Sequence, residues 1–171
     1  MKHTQKHLDT SADKKYYKQV ISKLTDKQKE EFESLVIRLE KAGAKNPLSW
    51  AYSEVTEGIP QFGRFLVLKY LFDIGKSTED NMAMASDFDD AFDEKYVEIR
   101  NAVGEKKLLA FLTSYSKGIL YNIIGLLDEG NREIDRDKVS WTLMKTDENF
   151  ELTGQPIQGL HEDFLEFDSE I

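Results

Sequence analysis

One short segment gathers residue types that could serve a metal centre or proton transfer. In residues 153–167, TGQPIQGLHEDFLEF, His161 is followed by Glu162, Asp163 and Glu166. An imidazole beside carboxylates can chelate a divalent cation or exchange a proton near neutral pH. Spacing argues against both uses. Consecutive helical residues point about 100° apart, so His161 and Glu162 do not share a face. Leu160, Phe164 and Phe167 recur at intervals of four and three and make the packing stripe. His161 flanks that stripe as a buried hydrogen-bonding anchor holding the hairpin to the bundle, and Glu162 and Glu166 lie on the opposite side. Residues 158–167 therefore read as a docking helix with an acidic outer face.

Other candidates are weaker. In DFDDAFDEKYVE, Asp87, Asp89 and Glu98 match positions 1, 3 and 12 of a calcium loop. Ala91 and Phe92 stand where that loop needs an acid and its turning glycine. Residues 128–137, DEGNREIDRD, offer hard oxygen ligands, but the interleaved Arg132, Arg136 and Lys138 compete for them. His3 and His7, four apart, share a helix face within a polar terminus. The chain shows no G-x-S-x-G, Walker, Rossmann or H-E-x-x-H motif, and no metal ligand set or cofactor is expected.

Arg64 and Lys117 matter for another reason. Each sits in an apolar helical sequence, where a buried cation needs a carboxylate. Glu54 and Glu57 are the nearest partners for Arg64. With Tyr121 and Asn122, Arg64 and Lys117 could instead line a polar pocket between helices, with the guanidinium as an anion clamp.

The elements that hold these residues can be read from periodicity. Residues 1–10 read as frayed, and residues 11–127 as a helical bundle. Thr25 and Gln28 form a capping box. Gly43 and Gly58 end helices, and Asn46-Pro47 opens one. Residues 60–75 are apolar on nearly every side, as expected for a central helix. Ser86 and Asp89 resemble a second capping box, followed by a stripe of Phe88, Phe92, Tyr96, Ile99 and Val103. Residues 105–127 form the other central helix. Its row of Ala110, Ser114, Gly118 and Asn122 would admit a close neighbour, either within the chain, with Gly63 as the facing point, or in a dimer contact. Residues 138–154 alternate in hydrophobicity around Asp147-Glu148-Asn149 and read as a β-hairpin packing Trp141, Leu143 and Phe150 on the helices. The expected fold is mainly α: one domain over 1–171, about six helices, a small C-terminal hairpin and a final short helix.

Composition narrows the function. Hydrophobic residues make up 40% of the chain and aromatic ones 11%, enough for a folded core. The absence of cysteine excludes disulfides and thiolate chemistry and suits a reducing cytoplasm. The first fifteen residues lack the apolar run of a secretory signal. Residues 108–127 have the length of a membrane span, but Lys117 at its middle costs about 2.5–3.5 kcal/mol. Net charge is −9, and residues 147–171 carry eight acids and no Lys or Arg. Such a surface repels phosphate backbones and attracts a basic protein. The expected function is therefore non-enzymatic protein binding in the cytoplasm, of the inhibitor, immunity or adaptor type. Glu151, Glu162, Asp163 and Glu166 would steer the partner, and Trp141 or Phe150 would anchor it. The alternative is a small-molecule binder or enzyme built around Arg64 and Lys117. Acidic mimicry of nucleic acid is a third reading.

Overall fold

The computed structural model describes residues 1–131 and 138–171. It is mainly α, with nine α-helices and one two-stranded antiparallel sheet among those residues. The helices are α1 (Lys2–Thr10), α2 (Lys14–Ser22), α3 (Asp26–Ala42), α4 (Pro47–Glu57), α5 (Gln61–Lys76), α6 (Thr78–Ser86), α7 (Phe92–Val103), α8 (Glu105–Glu129) and α9 (Leu160–Phe164). The strands are β1 (Leu143–Thr146) and β2 (Leu152–Ile157). A 3-10 turn, Phe167–Ser169, follows α9.

Local chemistry sets several boundaries as expected. The Thr25 side chain accepts from the Gln28 amide, and the Gln28 side chain accepts from the Thr25 amide. Gly43 and Gly58 take left-handed conformations after α3 and α4. Pro47 occupies the first position of α4.

The core lies between α3, α4, α5 and the C-terminal segment. Phe32, Val36 and Leu39 of α3 are buried with Leu48 and Ala51 of α4 and with Phe65 and Leu68 of α5. Phe167 fills the centre. Its ring lies 5.3 Å from Phe65, 5.2 Å from Phe72 and 6.3 Å from Trp50, within the range of favourable aromatic pairs.

Five expectations need correction. The terminus expected to fray forms α1, with Thr4 and Leu8 buried. Glu33 and Glu40 of α3 hold it: Glu33 accepts from the backbone amides of His3 and Thr4 and from the Thr4 hydroxyl, and Glu40 from His3 and Lys6. The helix over residues 60–75 is not buried on all sides, since Tyr70 and Ile74 are exposed. Ser86 ends α6 instead of capping α7, and its hydroxyl donates to the Ala83 carbonyl. The stripe expected on this helix stays largely outside the core: Phe88 precedes α7, and Phe88, Ile99 and Val103 are exposed.

The fifth correction concerns the hairpin. Its strands pair Leu143 with Ile157 and Met144 with Pro156, so the hairpin runs past residue 154 and Gln155-Pro156 lies inside β2. Pro156 is tolerated on a two-stranded ribbon, where every strand is an edge. Ile157 and Leu143 pack on the core, whereas Trp141 precedes the strand and Phe150 sits in the turn. Gly63 receives Ile157, whose Cδ1 lies 3.2 Å from where a Cβ would stand. It therefore faces the hairpin, not α8. No helix among the described residues is long and apolar enough to cross a membrane.

Candidate functional site

The site begins with Arg64. It lies in the first turn of α5 and is only 6% exposed. Its Nη1 donates to Gln61 Oε1 at 3.1 Å, and its Nη2 donates to the Gly159 carbonyl at 2.6 Å and to Asp163 Oδ2 at 2.7 Å. The carboxylate it needs comes from α9. Glu54 and Glu57 are engaged elsewhere: Glu54 accepts from the Phe62 amide at the start of α5, and Glu57 from the Ser53 hydroxyl. Satisfying an orphan amide at a helix start is the ordinary use of such an acid.

Gly159 makes the Arg64 contact feasible. Its φ is +71°, and a Cβ there would stand 3.0 Å from Arg64 Nη2 and 3.2 Å from Glu162 Oε2. A side chain at 159 would thus meet both steric and backbone strain.

α9 then turns its acids outward while Leu160 and Phe164 pack inward. Glu162, Asp163, Glu166 and Glu170 line a cleft of about 170 Å³ with Ser49, Trp50, Ser53 and Gln61. The Trp50 indole donates to Glu170 Oε2 at 3.1 Å, and the Lys45 amide donates to the Glu170 carbonyl at 2.8 Å. Burial pushes the Asp163 carboxyl above its usual range; Arg64 opposes this, and Glu162, Glu170 and Asp128 add to it. The cleft therefore concentrates negative potential that one guanidinium does not balance.

His161 joins α9 to the end of α8. Asp128 Oδ2 accepts from its amide at 2.9 Å and lies 2.8 Å from its Nδ1. His161 is exposed, not the buried anchor expected, and it ties the C-terminal helix, not the hairpin, to α8. His3 and His7 both approach Glu40, at 2.8 and 3.7 Å, and fasten α1 to α3. Among the described residues, no group of three or more His, Asp or Glu is arranged to hold a metal ion. The candidate oxygen-ligand run 128–137 falls mostly on residues 132–137, outside those described.

The other sequence candidates disperse. Arg64 also lines a second cleft, of about 460 Å³, formed by residues 58–60 and residues 154–156, 158 and 159 with Glu162. Lys117 and Tyr121 line a third, of about 250 Å³, with Phe72, Phe164 and Asp168. Lys117 pairs with Asp168 there and sits 5.2 Å above the Phe72 ring. Asn122 is exposed on the outer face of α8. The structure does not bring these four residues into one pocket. Glu162, Asp163 and Glu166 do converge. Glu151 and Phe150 lie at the hairpin turn, with Phe150 88% exposed. Trp141 is half-exposed, and its indole donates to the Leu126 carbonyl at 2.8 Å.

Sequence reasoning missed Trp50, Gln61 and Glu170 as lining residues. Trp50 reads as core from its helical spacing, and it is buried. Only the return of the C-terminus across α4 gives its indole N–H a carboxylate. Comparison with family models, curated proteins and solved structures finds no match to this chain.

Proposed function

We propose that the chain is a non-enzymatic protein-binding module acting in the cytoplasm on a basic partner, in the manner of an inhibitor, immunity or adaptor protein. The observation that carries this reading is the cleft of Glu162, Asp163, Glu166 and Glu170 against Trp50. Its size suits one lysine or arginine side chain from the partner. Glu162 and Glu166 supply charge at the rim, and Ser49, Ser53 and Gln61 supply polar neighbours. The surrounding acidic segment, residues 147–171, steers the encounter and disfavours nucleic acid.

A second reading, a small-molecule site at Arg64, draws on the cleft between residues 58–60 and residues 154–156, 158 and 159, and on Arg64 Nε, which is buried without a hydrogen-bond partner among the described residues. Asp163 already neutralises that guanidinium, so the first reading is preferred.

Calorimetric titration with an arginine-rich peptide and a glutamate-rich control separates them. The basic peptide should bind, weaken steeply with salt, and lose affinity when Glu162 and Glu166 are both changed to Lys. Binding of the acidic peptide alone would favour the Arg64 reading.

A further inference from the structure

Among the described residues, nothing covers the outer face of α8, the longest helix. Of the 25 residues of α8, only Leu108, Leu120 and Ile124 are buried. Phe111 is 65% exposed, Tyr115 61% and Leu126 54%. Isolated surface apolar groups need no explanation, but a continuous band along one helix marks an interaction surface. The row expected to receive a close neighbour, from this chain or from a second copy, belongs to this face: Ala110, Ser114, Gly118 and Asn122 are all exposed. Among the described residues, no atom beyond the adjacent residues and the helix's own backbone lies within 4 Å of where a Cβ on Gly118 or Gly125 would stand.

We infer that this face is the interface of a homodimer, in which two copies of α8 cross antiparallel about a twofold axis at Gly118. The residues along the face occur in pairs about that point. Ser114 and Asn122 lie four positions either side of Gly118, Phe111 and Gly125 seven, and Lys107 and Glu129 eleven. Those intervals keep to one line of a helix with 3.6 residues per turn. Antiparallel crossing sets each residue against its opposite number on the other copy.

Every such pair is complementary. Phe111 meets the partner's Gly125, a large side chain over an open backbone. Ser114 meets the partner's Asn122. The Ser114 hydroxyl donates to the Ala110 carbonyl within its own helix, and its oxygen can still accept from the partner's Asn122 amide. The two Gly118 residues let the backbones approach closely at the centre. Lys107 meets the partner's Glu129, so the basic and acidic ends of the helix attract. Parallel crossing would oppose lysine to lysine and phenylalanine to phenylalanine.

This pairing also explains glycines that the isolated chain does not need. Gly118 and Gly125 have helical backbones and open surroundings, where alanine would strengthen the helix.

Sedimentation equilibrium and cross-linking of the full chain test the proposal. The wild type should dimerise in the micromolar range. Gly118→Arg should be monomeric there, with its circular dichroism and melting temperature retained. Lys107→Glu should weaken dimerisation several-fold, more so at low salt. The chain has no cysteine, so single cysteines report orientation. Oxidised Gly118→Cys should form a covalent dimer. Phe111→Cys should not, because antiparallel crossing holds the two 111 positions about 21 Å apart. A monomeric wild type, a Gly118→Arg variant that still dimerises, or efficient Phe111→Cys cross-linking would each overturn the assignment.

Discussion

Arg64 Nη2 lies 2.7 Å from Asp163 Oδ2, a contact between residues 99 positions apart. It fixes the C-terminal helix to the start of α5 and sets the orientation of the acidic cleft. Removing the carboxylate leaves a buried guanidinium with reduced compensation. Fully buried pairs lose 3–5 kcal/mol on such a change; Asp163 is partly exposed, so Asp163→Asn should cost about 2 kcal/mol. Urea denaturation of Asp163→Asn, Arg64→Met and the double variant measures this. The double variant should be more stable than the sum of the single losses predicts. Simple additivity would show that the contact is not coupled.

The C-terminal segment should be integral to the core. Phe167 is fully buried among Trp50, Phe65 and Phe72. Phe167→Ala should destabilise the protein by about 3–5 kcal/mol. Leu165 is 74% exposed, and Leu165→Ala should change stability by less than about 0.5 kcal/mol. Equal losses for the two variants would contradict the packing described.

Helix α1 should be held by acid-sensitive contacts. Hydrogen bonds from Lys6 and His3 lower the Glu40 pKa to about 2. Burial pushes Glu33 up, but its hydrogen bonds from Thr4 and the His3 amide outweigh burial and lower it. A carboxylate depressed in the folded state contributes stability above its unfolded pKa and loses it as pH falls through the folded one. For Glu40 the window runs from the ordinary glutamate range down to about 2. The protection factor of the Thr4 amide, taken relative to intrinsic exchange at each pH, should therefore fall across that window, and less so in Glu40→Gln.

The parts legible in the sequence were those set by neighbours in the chain. The Thr25–Gln28 box, the glycines ending α3 and α4, and the stripe of Leu160, Phe164 and Phe167 all depend on local spacing. The site depended on distant partners. Arg64 demanded a carboxylate, but Glu54 and Glu57 were spent on nearer hydrogen bonds, and the answer lay in α9. Residues 1–10 looked frayed because their polar side chains find Glu33 and Glu40 only after α3 folds. The row on α8 was visible as small residues, but its direction was not. Periodicity shows which residues share a face and not whether that face turns inward.

The acidic cleft as a receptor for a basic side chain is the central claim, and the two indole N–H signals test it directly. In a proton–nitrogen NMR titration with an arginine-rich peptide, the Trp50 indole signal should shift, because its N–H bonds Glu170 at the cleft wall. Amides of residues 160–170 should shift with it. The Trp141 indole, bonded to the Leu126 carbonyl, should stay in place. The Glu162→Lys/Glu166→Lys variant should abolish the Trp50 shift at unchanged melting temperature. A Trp50 signal that does not move while shifts scatter along the acidic segment would contradict the cleft and leave only diffuse charge attraction.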